Sequence, residues 1–201
     1  MNPADFKDFR WLNESRAEFE GDKLTIYAPE KSDFFCNNGA VSDEGITPES
    51  LTNAPFFYKE VTGDFVMRAQ VQVDFKDVYD AACLMVMDNL DVWGKFCFEF
   101  TDFDTHAVVS VVTNHTSDDA NGSNIEGNSV WLQAVRVGQS FAFHYSLDGN
   151  RFFMVRFFNL PVGDTVKVGL VAQAPTGGGG DRVYSNFSLE PRTVKNIRSG
   201  E

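Results

Sequence analysis

Lys95 and Glu99 stand four residues apart in "VWGKFCFEF" (92–100), with Cys97 between them. Along an extended strand side chains alternate between faces. Trp93, Lys95, Cys97 and Glu99 therefore share one face, and Phe96, Phe98 and Phe100 share the other. In the preceding run "AACLMVM" (81–87), Cys83, Met85 and Met87 match the Lys/Glu face, while Leu84 and Val86 match the Phe face. A face that mixes an indole, thioethers, thiols, a lysine and a glutamate suits a shallow groove. Such a site needs flat apolar surface and a few oriented polar groups. The competing reading is an ordinary surface ion pair between Lys95 and Glu99, common and of little energetic consequence. If the turn spans Asp88–Val92, paired positions place Cys83 opposite Cys97 and Met85 opposite Lys95. Opposed Cβ atoms lie about 4.5–5.5 Å apart, wider than the roughly 3.8 Å typical of a disulfide, so a cross-strand disulfide is open but strained, and in a reducing cytoplasm two neighbouring free thiols are expected.

Two carboxyl groups across one groove would allow glycoside hydrolysis. Glu99 is the candidate catalytic residue for that chemistry, with Asp80 or Asp118 as its partner. Lys95 on the same face is expected to lower the Glu99 pKa, which suits a nucleophile better than a general acid. His106, His115 and His144 lack ligand spacing with the cysteines, so no metal site is expected. The oxygens of Asp102 and Asp104, or of Ser117, Asp118 and Asp119, read as turn residues rather than calcium ligands. No phosphate-binding loop, dinucleotide fingerprint or Ser–His–Asp order occurs, and no cofactor is expected.

The elements that must hold these residues are strands. Phe65, Met67, Ala69, Val71, Val73 and Phe75 alternate with mostly polar neighbours, the period of a half-buried antiparallel strand. Similar runs recur at 23–28, 33–36, 82–87, 93–100, 107–113, 130–137, 141–146, 152–157, 166–172 and 183–189, separated by Gly, Asn, Asp and Pro. Asp148-Gly149 is a hairpin signal, and 177–180 is a glycine tip before the last strand. The polar segment 113–129 reads as a long loop. About a dozen strands without convincing helices predict an all-β, two-sheet antiparallel β-sandwich of jelly-roll kind, one domain over residues 1–201.

Composition narrows the partners. The net charge of −12 disfavours nucleic acid and anionic membranes, no run is long and apolar enough to span a bilayer, and the N-terminus lacks a signal-peptide pattern. Three cysteines, an odd number, are too few for a disulfide framework and fit a reducing cytoplasm.

Several stretches together point further: "NAPFFY" (53–58), "YDAACLM" (79–85), "WGKFCFE" (93–99), "SVVT" (110–113), "SD" (117–118), "WLQAVR" (131–136), "YSLDG" (145–149) and "MVR" (154–156). In order and spacing the chain resembles the concanavalin A-like domain of unknown function shared by bacterial proteins and the fungal regulator-of-enolase proteins. The resemblance covers residues 6–190. It implies a jelly roll with one sheet curved around a groove and no established reaction. It also implies a non-catalytic binding or regulatory role, with a carbohydrate or a partner protein such as enolase as the ligand. Carried over by position, its recurrent polar residues fall on Tyr79, Asp80, Lys95, Glu99, Ser110, Thr113, Ser117, Asp118, Arg136 and Arg156. Ala81, Asp119 and Gln133 depart from the pattern, as do Cys83 and Cys97, which stand where glycine is favoured. Lys95, Glu99, Arg136 and Arg156 are expected to converge on one sheet face, with Trp93 and Tyr79 at its edge.

Overall fold

The computed structural model describes residues 3–37, 39 and 49–201. Two seven-stranded antiparallel sheets face each other. The first runs in the order β1 (Arg10–Leu12), β6 (Phe56–Thr62), β15 (Thr165–Gln173), β8 (Ala81–Asn89), β9 (Val92–Phe100), β10 (His106–Asn114) and β11 (Thr116–Asn124). The second runs β14 (Phe153–Asn159), β13 (Ser140–Ser146), β12 (Ser129–Val137), β7 (Phe65–Val73), β16 (Gly180–Glu190), β3 (Lys23–Ala28) and β2 (Ala17–Glu20). A small pair, β4 (Phe34–Phe35) and β5 (Leu51–Thr52), stands apart from both. Among the described residues no helix is long and apolar enough to cross a membrane. The antiparallel sandwich expected from the alternating strands is the architecture found.

The core between the sheets follows strand parity. Leu84, Phe96 and Phe98 of the first sheet meet Met67, Leu132 and Phe143 of the second, all fully buried. The Phe96 and Phe143 rings stack with centroids 5.0 Å apart. At Gly94 a Cβ would sit 3.0 Å from the Phe158 ring, so glycine lets the aromatic layer close onto β9.

The other face of the first sheet is not the open groove expected for it. Phe34 of β4 and Ala54, just after β5, lie on it and close a second apolar cluster with Phe56, Met85, Met87, Trp93 and Cys97. Trp93, expected at a groove edge, is wholly buried, with its ring 6.1 Å from Phe34 and its Nε1 donating to the Leu90 carbonyl. Burying an indole requires a hydrogen-bond partner for its N–H, and the turn between β8 and β9 supplies one. The covering segment is stitched down by Ser32, whose backbone pairs with Ala174, and by Cys36, whose backbone pairs with Ser117.

Residues 116–124, within the segment read as a loop, form the edge strand β11. Their Asp, Asn and Ser content carries no strand signal, but pairing with β10 overrides local propensity. Nearly all of these side chains are exposed, and a polar sequence suits a sheet edge left open to solvent.

The β8–β9 register is the one parity demanded: Cys83 opposes Cys97, Met85 opposes Lys95 and Met87 opposes Trp93. Both thiols are buried and free. Titration under denaturing, non-reducing conditions should count three thiols per chain, whereas one would reveal a disulfide. Asp80 lies at the start of the same hairpin, but its carboxylate turns inward. Oδ1 accepts from Arg182 Nη2 at 2.7 Å and Oδ2 accepts the backbone N–H groups of Lys76 and Asp77, with Asp80 and Arg182 each 1% exposed. Asp80 is therefore a structural anchor rather than a groove residue. Asp80→Asn leaves a buried guanidinium unneutralised and should cost about 3–5 kcal/mol in denaturant unfolding.

Candidate functional site

The outward parity of β9 carries Lys95 and Glu99 under the covering segment. Lys95 is 1% exposed, and its three ammonium protons are all used. Nζ donates to Asp33 Oδ1 at 2.7 Å, to the Phe34 carbonyl at 2.8 Å and to Gln173 Oε1 at 2.6 Å. Desolvation opposes its charge, but the Asp33 carboxylate beside it prevails and holds the Lys95 pKa above the ordinary lysine value. The Lys95–Glu99 ion pair of the competing reading does not form. Asp33, from a segment with no sequence link to the hairpin, takes the lysine instead.

Among the described residues Glu99 has no ion-pair partner. It is 6% exposed and receives one side-chain hydrogen bond, from Gln173 Nε2 to Oε2 at 3.4 Å. Gln173 therefore bridges the two charged groups. Its carbonyl faces Lys95, and its amide faces Glu99 and the Tyr79 carbonyl. Burial pushes the Glu99 pKa well above its ordinary value of 4.5, and Lys95 only partly offsets this. The sequence expectation of a lowered pKa is reversed, because Asp33 has already claimed the lysine's charge and the carboxyl stands in low dielectric.

Tyr79 completes one wall. Its backbone takes a left-handed conformation, φ 70°, with its N–H donated to the Phe100 carbonyl. That unusual geometry for a bulky residue lets adjacent side chains part company. Tyr79 lines the cavity, while Asp80 reaches Arg182 in the interior. Desolvation, followed by the nearby charges of Asp102, Glu99 and Asp119, pushes the Tyr79 phenol up to about 12.

A cavity of about 480 Å³ opens here, walled by the rings of Phe35, Tyr79 and Phe103 and the carboxyls of Glu99, Asp102 and Asp119. A recess of about 20 Å³ leads on to Asp33, Lys95 and Gln173. Phe103 is 73% exposed, a large apolar surface at the mouth. Asp119, on the groove side of β11 opposite Val111, is open to solvent at the rim, and partial desolvation raises its pKa.

The remaining positions carried over by resemblance lie elsewhere. Thr113 and Ser117 bond to each other at 2.7 Å and hold Cys36, so they fasten the covering segment. Ser110 and Asp118 lie across β10 and β11 toward the second sheet, where Arg156 Nη1 reaches the Ser110 hydroxyl at 3.4 Å and the Asp118 carbonyl at 3.2 Å. Arg136 lies on β12 of the second sheet and donates to the carbonyls of Gly138, Gly163 and Asp164, tying two loops together. The arginines therefore do not converge with Lys95 and Glu99. Arg136 shares no sheet with them, and Arg156 closes the sandwich edge. Asp33, Gln173 and Asp119 line the candidate site without having been singled out for it by the sequence. Asp33 and Gln173 sit at strand ends with no motif around them, and Asp119 was set aside as a departure from a family pattern. Among the described residues no three His, Cys, Asp or Glu side chains are gathered as metal ligands.

The chain and its fold have relatives among known proteins. The chain is 28% identical over 184 residues to "Regulation of enolase protein 1" of Saccharomyces cerevisiae, covering 89% of this chain and 87% of that protein. A functionally unknown protein from Saccharomyces cerevisiae superposes with TM-score 0.83 at 26% identity, covering 94% of this chain and 99% of that one. The carbohydrate binding module CBM66 from Bacillus subtilis shares the fold, with TM-score 0.58 and 10% identity over 92% of this chain and 97% of that one. A family model matches residues 11–192, and the chain belongs to that family, the protein of unknown function DUF1349.

Proposed function

We propose that this protein is a non-catalytic binding protein, regulatory in role, that captures a polar group of its ligand in the cavity beside Tyr79 and Glu99. The observation that carries this reading is the buried chain Asp33–Lys95–Gln173–Glu99. Three of its four members satisfy one another, and the last presents a carboxyl to an open, aromatic-walled cavity. A rigid, internally satisfied polar floor below a partly apolar cavity is what recognition requires. The yeast relative named for enolase regulation supports a metabolic enzyme such as enolase as the partner. The carbohydrate binding module among the structural neighbours supports a carbohydrate. The free cysteines are consistent with a cytoplasmic location.

A second reading, glycoside hydrolysis, is favoured by one feature. A carboxyl with a raised pKa in a cleft, beside a second carboxyl at the rim, has the character of a general acid. A glycan array and an enolase pull-down, followed by a cleavage screen on each bound glycan, test both readings. The binding reading expects retention of at least one ligand and no turnover. Hydrolysis by the wild type that Glu99→Gln reduces by several orders of magnitude would replace it with the enzyme reading.

The Glu99 environment also makes a stability prediction. Its folded pKa is raised, so its contribution favours the fold below the ordinary value of 4.5 and is lost as pH rises toward and through the folded value. Glutamine keeps the shape of the protonated acid and does not titrate. Thermal melts should therefore show the Glu99→Gln variant gaining on the wild type as pH is raised from 4.5 to 8. A constant offset across that range would show that Glu99 is ionised in the fold at the ordinary pH.

A further inference from the structure

The cavity has an unbalanced charge. Glu99, Asp102 and Asp119 line it, and among the described residues no lysine, arginine or histidine does. The nearest buried cation, Lys95, has all three donors committed to Asp33, Phe34 and Gln173. Glu99 is nine-tenths buried and lines the cavity, yet only Oε2 has a hydrogen-bond donor, so the other oxygen has no protein partner among the described residues. The carboxyls are spread around the rings of Phe35, Tyr79 and Phe103 and are not gathered into a cluster of metal-binding geometry. Aromatic faces attract organic cations through their quadrupoles, and carboxylates complete the charge. A volume of about 480 Å³ accepts the end of an extended side chain or a small amine.

We infer that this cavity receives a cationic organic group, an ammonium or guanidinium, carried either by a small free amine or by a lysine or arginine side chain of a partner protein. The inference rests on the binding reading above and names the chemistry of that same site. The cation sits between the rings and supplies the missing donor to Glu99. The groups facing Glu99 are Lys95 and Cys97 on its own strand, Asp33 before β4, Asp119 on β11, and Tyr79 with Asp102 at the mouth. Glu99 holds its proton more tightly than an ordinary carboxyl, and an arriving cation displaces it. A permanently charged ligand therefore binds more tightly as pH rises.

The test titrates the full chain, observed by NMR, with five probes. They are Nα-acetyl-arginine methylamide, its lysine counterpart, agmatine, the neutral citrulline counterpart of the arginine probe, and methyl β-xyloside. The cationic probes should saturate shifts around Tyr79 and Glu99, and the citrulline probe should bind at least about tenfold more weakly, the loss expected from removing one well-placed charge. Glu99→Gln, and separately Asp119→Asn at the exposed rim, should weaken the cations several-fold and leave the citrulline probe unmoved. Cation affinity should rise between pH 5.5 and 8. Agmatine binding more tightly than the capped residues identifies a free amine as the source, and the reverse identifies a protein side chain. Equal binding of arginine and citrulline probes, or binding of the xyloside alone, overturns the inference while leaving a binding site. Absence of binding by all five probes counts against both the inference and the reading it rests on.

Discussion

A lysine ammonium buried to 1% exposure must be neutralised and fully hydrogen-bonded, and the outer half of this molecule is built around that requirement. Lys95 is placed by parity on the face of the first sheet that points away from the sandwich core. Little of it is open to solvent there, because Phe34 and Ala54 close the apolar layer above. The ion pair and the covering segment are therefore mutually dependent. Asp33 neutralises the lysine only because its segment lies across the sheet, and the segment lies there because Phe34 buries its ring against Phe56 and Trp93.

The cavity is what this arrangement leaves uncovered. Lys95 spends its charge on Asp33, so Glu99 is buried without an ionic partner and its proton affinity rises. A single amide, Gln173, transmits the choice from one group to the other, since its carbonyl must face the ammonium and its NH₂ is then directed to Glu99. Tyr79 and Asp80 divide the work at the entrance. One contributes a ring to the cavity wall, and the other seals a buried ion pair with Arg182. Among the described residues the second sheet supplies no side chain to this cavity. Two of its arginines, Arg136 and Arg156, act as clamps on loops and on the sandwich edge.

How much of this could be read from sequence depends on the range of the interaction concerned. The sandwich, the strand alternation of β7, the β8–β9 hairpin and the opposition of Cys83 and Cys97 follow from a two-residue period and a short turn, both local properties. β11 escaped notice because its polar residues carry no strand signal and its pairing with β10 alone makes it a strand.

The sequence by itself determined that Lys95, Cys97 and Glu99 share a face, that the thiols are neighbours and that the fold is an antiparallel sandwich. Only the tertiary structure decided which carboxylate meets which cation. Asp33 lies 62 residues from Lys95, and Arg182 lies 102 from Asp80. Charges of either sign are scattered along the chain at many compatible separations. The pairs that form are those that packing brings into contact in a medium too apolar to leave a charge alone. For the same reason the face that Glu99 occupies was legible in the sequence, but its proton affinity was not, because that depends on burial and on Lys95 being already engaged.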